Sequence, residues 1–507
     1  MVNQRTLLLN TLSGTALYVI NIAVAFFLSP ILLKALGNNA YGLWEMIMSV
    51  IGYMGLLDLG IGSAMVRYVA VADGGGSREE MARIMATALA FFVSMGLLAS
   101  TVFGFLGFYP TMIGGKEALS IAGVELLFYI FAVNALFLFP MQVFLSVLLG
   151  IQRHYFINCA RILLNCVKAI ITYWYLTSHV DNPLVFISIA ELIYTLLSFI
   201  IFYKFLFFKE EIPRFSYRSV SKKTFFDLFV FGSKNLVMMA ASRLQNQSVP
   251  IIIAHVVGMG SIVNYTFPNR LVDYAKGLSL AVGYPLTPYF SAIFGKSQTE
   301  ELRRSWLKTT FVLQGIMFIM PIVLWQYGEV FLRLWIGLEY AEAGHWVIRL
   351  LVVGLVADTL AVNSFRLLTA KASHGKSALV WLVLGILSIP GGVVAGKMWG
   401  IEGVTFAVVL ASVVGNIATV ALTCSSLDIS PGEFFRATCL KLLGPIALGY
   451  GCSIFLLHLW EIESYVSLLS NTAIVCLFYF LNVWLIALEK SEKLSIIEKV
   501  LGRFTNK

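Results

Sequence analysis

The sequence predicts an all-α membrane protein with about fourteen transmembrane helices, as two pseudo-symmetric six-helix lobes plus a C-terminal helix pair. Three observations predict it. Hydrophobic residues make up 59% of the 507 residues and charged residues only 12%, with a mean hydropathy of +0.85. A soluble domain cannot cover its surface with so little charge. The apolar residues gather into runs of the ~20 residues that a helix needs to cross a bilayer. One stretch also occurs twice: Val66 to Glu80, VRYVAVADGGGSREE, returns as Thr287 to Glu301, TPYFSAIFGKSQTEE.

The repeat divides the chain. Tyr68 falls on Tyr289, Gly74 on Gly295, Glu79 on Glu300 and Glu80 on Glu301, all at one offset. Upstream, Ser13 falls on Ser233 and Pro30 on Pro250, one residue short of that offset. Duplicated halves of a membrane protein commonly face each other across a central site. The expected divisions are residues 1–215 for helices 1–6 and 216–428 for helices 7–12. Residues 429–507 then hold helices 13–14 and a cytoplasmic tail.

Length and lack of charge place the spans near 10–35, 41–66, 82–108, 121–150, 155–178, 182–207 and 224–256. The others lie near 261–291, 304–326, 344–370, 377–397, 402–426, 438–459 and 464–488. The first follows a single cation, Arg5, and no small-residue cleavage pattern, so it is expected to remain in the protein. Pro30, Pro140, Pro250 and Pro390 lie within or at the ends of spans, where neighbouring helices can satisfy the carbonyls they free. The longest hydrophilic connection, Phe208 to Lys223, coincides with the boundary between halves. Spans thirteen and fourteen stand outside the repeat and, past Lys441 at the start of span thirteen, carry no Asp, Glu, Lys or Arg; a short amphipathic helix is expected after Glu489.

Loop charge sets the orientation. One side carries Arg67, Arg78, Arg83, Arg153, Arg218, Lys222, Lys223, Lys296, Arg303, Arg304, Lys371, Lys376, Arg436 and Lys441, among others. The other has little more than Lys34, Lys116, Arg333 and Lys397. The positive-inside rule puts the first side, and with it both termini, in the cytoplasm. The same distribution explains the net charge of +9 without a nucleic-acid partner. The six cysteines lie in or beside apolar runs with no CxxC pair and read as inert thiols. The histidines lack metal spacing, and Gly74-Gly75-Gly76 opens no phosphate-binding loop. No metal, nucleotide or other cofactor is expected.

Ionisable groups inside spans are costly, so each marks a candidate site. In span five, Asn158, Arg161, Asn165, Lys168, Thr172 and Tyr175 recur at steps of three and four and form one polar stripe. The stripe either packs against Glu191 of span six or faces a watery cavity. Span seven carries Lys234, Asn235, Ser242, Arg243 and Asn246; Arg243, deeper and flanked by amides, is the expected cavity residue. Span eight holds Asn269, Arg270, Asp273 and Lys276, where Asp273 is three residues from each cation and a local ion pair is expected. Span ten holds Asp358, Asn363 and Arg366, with a second Asp–Arg pair open across a turn. Glu45 is open to a structural or a proton-coupling role, and Asp58 is expected to tie down Arg67. The candidate substrate-binding residues are therefore Arg161, Lys168, Arg243, Arg270, Lys276 and Arg366. The candidate coupling residues are Glu45, Glu191, Asp273 and Asp358. Cations outnumber acids, so a cavity lined this way attracts anions, phosphate above all.

The pattern FLSPILLKALGNNAYGLW followed by LLDLGIGSAMVRYVAVADGGG resembles the opening of bacterial polysaccharide biosynthesis (O-antigen-type oligosaccharide) flippases. These belong to the multidrug/oligosaccharidyl-lipid/polysaccharide exporter superfamily. The likeness rests on Gly37, Tyr41-Gly42, Asp58-Leu59-Gly60 and Arg67, together with the span count, the duplicated halves and the extra pair. It implies a V-shaped pair of lobes around a cationic cavity in the bacterial cytoplasmic (inner) membrane. That cavity would open alternately to each side and flip undecaprenyl-diphosphate-linked oligosaccharide, with membrane lipids, an H⁺ or Na⁺ coupling ion and a polymerase or ligase of the pathway as partners. A cation-coupled multidrug exporter of the same superfamily is the alternative. The known extruders commonly carry an Asp in span one, whereas Asn10 to Leu33 contains no acid. Among the candidate acids, only Glu45 and Glu191 have no basic residue at helical spacing. A membrane enzyme such as a saccharide polymerase or ligase is disfavoured: its largest loop on the outer side, near Tyr327 to Gly344, is short.

Overall fold

A computed structural model describes residues 4–178, 181–208, 217–283, 285–296, 298–490 and 493. Among these, every regular element is a helix. The chain divides into two compact units, Met1–Ile262 and Val263–Lys507.

The first unit contains α1 (Gln4–Met54), α2 (Ile61–Gly74), α3 (Arg78–Phe108), the single turn α4 (Thr111–Gly114), α5 (Val124–Gly150), α6 (His154–Ser178), α7 (Pro183–Phe208) and α8 (Lys222–Val256). Its centre is α5, which packs against α2, α3 and α7. Two thirds (67%) of the most apolar stretch of α5 is buried, against 11% for that of α1. Phe128, Phe131, Phe144 and Leu148 make α5 apolar all round, as an interior helix must be. At 51 residues α1 is twice the length needed to span a bilayer; it breaks at Gly37, whose φ of 71° suits a residue without a Cβ.

One face of the second half of α1 and of the turn leading into α2 is built of glycines, and α8 and the turn that follows it lie against it. A Cβ on Gly42 would meet the Met259 carbonyl oxygen at 2.1 Å, and one on Gly52 would meet the Gln247 side chain at 2.5 Å. At Gly60, with φ +77°, it would meet the Gly232 carbonyl oxygen at 2.2 Å. Small residues let helix backbones approach this closely where no hydrophobic effect drives association. The Tyr53 hydroxyl donates to Ser248 Oγ at 2.8 Å within the same seam. The first unit runs to Ile262, past the 215/216 boundary expected from the sequence, because α8 packs on α1, α2 and α3.

The second unit contains α9 (Ile262–Gly283, whose first residue closes the first unit), α10 (Leu286–Gly295), α11 (Thr299–Met317), α12 (Ile319–Ile336), α13 (Leu338–Ala343), α14 (His345–Leu360), α15 (Ser364–Ala370), α16 (Gly375–Ser426), α17 (Pro431–Thr438), α18 (Leu440–Leu459) and α19 (Tyr465–Asn482). The 52-residue α16 breaks at Trp399 and Gly400, and it packs on α14. The pair α18–α19, whose one lysine, Lys441, lies in the first turn of α18, packs on α12 around Phe318, Ile322, Tyr327, Leu442 and Tyr479. There the Tyr479 hydroxyl donates to the Gly315 carbonyl at 3.0 Å.

Both copies of the repeated stretch have the same local structure. A helix ends at Gly74 or Gly295, and after a short turn the next opens with two glutamates in its first turn. In the first copy Arg83 pairs with Glu79 at 3.0 Å; in the second, Arg304 pairs with Glu300 at 3.0 Å. Val69 and Phe290, the residues just after the matched tyrosines, are both fully buried.

Among the described residues, nine helices are long and apolar enough to cross a membrane, or eleven if two bent pairs each count as one span. Fourteen is not reached by that criterion. The double-length α1 and α16 each count once, and α9 carries too many charged groups to qualify. Residues 209–216, Tyr284, Ser297 and the segment after Lys493 lie outside the described residues. Much of the long hydrophilic connection and the tail helix expected after Glu489 therefore lie there too.

Candidate functional site

The polar stripe of α6 is largely answered from within the first unit. Asn10 of α1 donates to the Gln152 carbonyl at 3.2 Å and accepts the Tyr155 N–H at 2.9 Å, which ties down the α5–α6 turn. Further along, Asn158 donates to Ser13 Oγ and Asn165 to Asn21 Oδ1, both at 3.0 Å. The stripe is a ladder between spans one and five. Polar side chains in lipid bond across helices in this way. The span-one partners were missed, yet Asn10, Ser13 and Asn21 lie on one helical face and are the signal that was available.

Lys168 pairs with Glu191 at 2.8 Å, and its ammonium lies 4.5 Å from the centre of the Tyr194 ring. Of the two readings open for the stripe, packing against Glu191 holds at this position. Tyr175 stacks on Phe186 and donates to the Asp181 carbonyl at 2.5 Å, closing the far end. Arg161, half-buried on the same face, acts on Tyr194 through space and has no hydrogen bond or carboxylate partner among the described residues.

Arg243 of α8 is half-buried, with its guanidinium laid over Gly55, where a Cβ would stand 3.2 Å from Nη2. No hydrogen bond or carboxylate reaches it among the described residues. Asn246, one turn on, donates to the Ser242 carbonyl at 3.0 Å. The side chains of Lys234 and Asn235 lie outside the described residues. Glu45 is half-buried on α1, and its carbonyl accepts the Ser49 hydroxyl at 3.1 Å.

Asp58 corrects an expectation. Its carboxylate accepts the Gly62 N–H at 2.7 Å and so caps α2. Arg67 instead lies over the Phe231 ring, 4.5 Å from its centre. A cap four residues away is local, whereas Arg67 stands more than two turns further along the helix.

In the second unit, Lys276 reaches across to Asp358 of α14 at 2.9 Å instead of serving as the local partner of Asp273. The other oxygen of Asp358 accepts from Asn416 at 2.6 Å. Asp273 accepts from Asn269 at 2.9 Å, one turn away. Arg270 is half-buried near the Phe267 ring. The Asp358–Arg366 pair does not form. The break at Ala361–Asn363 bends α14 from α15 by 42°, and Arg366 donates to the Val362 and Ser279 carbonyls beside Gly283. Arg366 therefore ties α15 to α9. Asn416, the second partner of Asp358, was missed because nothing in an otherwise apolar span marks which helix it faces.

The comparisons with known proteins fit this architecture. The model of a family described as polysaccharide biosynthesis protein matches residues 7–294. A Shigella flexneri protein provisionally named an O-antigen transporter is 21% identical over 378 residues, covering 72% of this chain and 84% of its own. Among solved structures, the lipid II flippase MurJ in an inward closed conformation superposes with a TM-score of 0.67 at 13% identity. It covers 97% of this chain and 99% of its own. An inward-facing multidrug resistance transporter of the MATE family superposes with a TM-score of 0.62 at 15% identity, covering 81% and 94%. At these identities the structures share the fold.

Proposed function

Because the chain belongs to the polysaccharide biosynthesis protein family, we propose that it flips an undecaprenyl-diphosphate-linked oligosaccharide by alternating access. The passage runs from the cytoplasmic to the periplasmic leaflet of the bacterial inner membrane and supplies surface polysaccharide. What carries this reading is the state of two arginines. Arg161 and Arg243 are half-buried on membrane helices and meet no carboxylate among the described residues. A cation in that setting is expensive unless water or a substrate anion meets it. A diphosphate crossing hydrocarbon has the mirror problem. Several spaced cations hold it loosely enough to release it.

Arg270, on α9, is proposed to take part in the same passage. Lys168, Lys276 and Arg366 already have protein partners, so their proposed role is to hold Glu191, Asp358 and the α9–α15 junction in place. Coupling to H⁺ or Na⁺ is proposed at Glu191, Asp273 and Asp358, with Glu45 as the remaining candidate. Neutralising Glu191 or Asp358 would release a lysine and change the local charge by one unit.

Deleting the gene and identifying the lipid-linked glycan that accumulates tests the proposal. Accumulation on the cytoplasmic leaflet is expected, and an unchanged lipid-linked pool overturns it. A multidrug exporter is the second reading, favoured by the fold of the MATE transporter. The acid-free first span weighs against it. Unchanged drug susceptibility in the deletion strain separates the two.

A further inference from the structure

At one end of α3 the first unit holds a cavity of about 460 Å³ whose lining includes Arg78, Glu79, Arg83, Arg218, Val220 and Ser221. Its two walls are joined: the Ser221 N–H donates to Thr87 Oγ1 at 3.1 Å, and Phe225 packs on Phe91 with ring centres 5.8 Å apart. Among the described residues this lining holds three arginines, Arg78, Arg83 and Arg218, and one carboxylate, Glu79. The Arg83–Glu79 pair is exposed on both sides, so it competes weakly with another anion. The positive end of the 31-residue α3 lies here too, with Ser77 as its cap.

In the second copy of the repeat Arg303, which falls on Ala82 of this lining, donates to the Glu433 carboxylate of α17, and Trp306 stacks on Phe434. The chain places a carboxylate of its own there.

The depth of the cavity identifies the ligand. Residues 84–108 of α3 carry no charge and enter the membrane directly from Arg83. Val220 (47% exposed), in the lining, and Phe226 (50%) and Val230 (58%), further along α8, present apolar surface. Cations at headgroup level with apolar side chains alongside fit a lipid that carries both phosphate and acyl or prenyl chains. We propose that the Arg78–Arg83–Arg218 cavity binds the phosphate of an anionic lipid headgroup. It lies on the side that the loop charges place in the cytoplasm.

Binding to the purified full chain in lipid nanodiscs tests this without any transport measurement, so its result stands apart from that of glycan flipping. The probes are phosphatidylglycerol and undecaprenyl diphosphate, each against phosphatidylcholine, with inorganic pyrophosphate as the water-soluble control. Each arginine is expected to contribute about fivefold near an anionic surface. Arg78→Gln/Arg83→Gln/Arg218→Gln should then lose at least about tenfold in preference for one of the two anionic lipids. The corresponding triple lysine variant should retain most of the preference, and Glu79→Gln should strengthen it. Which lipid responds tells a membrane phospholipid from a prenyl diphosphate. A glutamine triple variant that is folded and keeps the wild-type preference overturns the site. So does a wild type with no preference for either lipid. Pyrophosphate binding as tight as that of the lipids overturns the lipid assignment.

Discussion

Membrane burial gives single charges a large leverage, and the two kinds of cation in this chain should respond differently to replacement. Arg243→Ala is expected to abolish glycan export at near-normal protein abundance, because Arg243 binds no protein carboxylate among the described residues. Arg243→Lys should keep partial activity, since charge matters more than the guanidinium fork for a loosely held diphosphate. Export assays with immunoblotting check both; wild-type export from Arg243→Ala and Arg161→Ala would show these cations to be structural. Lys168 should behave in the opposite way. Lys168→Met leaves Glu191 as an uncompensated carboxylate within the membrane and should lower the amount of folded protein. Lys168→Met/Glu191→Leu removes both charges and should restore it. Thermal-shift measurements on the detergent-purified variants read this difference.

Among the elements, the α1–α2–α8 seam makes the sharpest distinction. At Gly60 an added Cβ strikes the Gly232 carbonyl at 2.2 Å in a backbone conformation, φ +77°, that side chains disfavour. At Gly52 it meets only the movable end of Gln247. Gly60→Ala should therefore lower folded abundance severalfold, while Gly52→Ala stays near wild type; equal effects would show that the seam is not tightly packed. The α1–α6 ladder gives a milder case. Asn21→Leu with Asn165→Leu removes both partners of one hydrogen bond and should cost little, about 0.6 kcal/mol for an average interhelical bond in a membrane. Asn165→Leu alone strands the Asn21 amide and should cost more.

At the scale of the whole molecule, loop charge predicts the orientation. A single cysteine at Val220, in a background without native cysteines, should resist a membrane-impermeant thiol reagent in intact cells and react after permeabilisation. A cysteine at exposed Glu339 should react in both. Reversal of the two patterns would overturn the topology and with it the leaflet from which substrate is proposed to enter. The sequence repeat leads one to expect a division after residue 215, whereas the compact units meet after Ile262. The packing follows the glycine face of α1 and α2, against which α8 lies.

The all-helical fold class was legible in the sequence because it depends on properties summed along the chain. Hydropathy over ~20 residues determines a span. Recurrence of Gly, Glu-Glu and Arg at one offset determines a repeat whose two copies share the same local ion pair. The charged residues inside spans could likewise be listed from sequence, since each stands out against an apolar background. What they face could not. Asp358 takes Lys276 and Asn416 in place of Arg366 because a bend after Leu360 turns Arg366 towards the Ser279 carbonyl. Asp58 caps α2 in place of Arg67 because the chain turns at Gly60 and brings the Gly62 N–H to it. A side chain's partner depends on which helix lies opposite and at what rotation. A shift of one residue along an α-helix turns that direction by about 100°, so only the packed structure decides whether a buried charge is neutralised at home or left for a ligand.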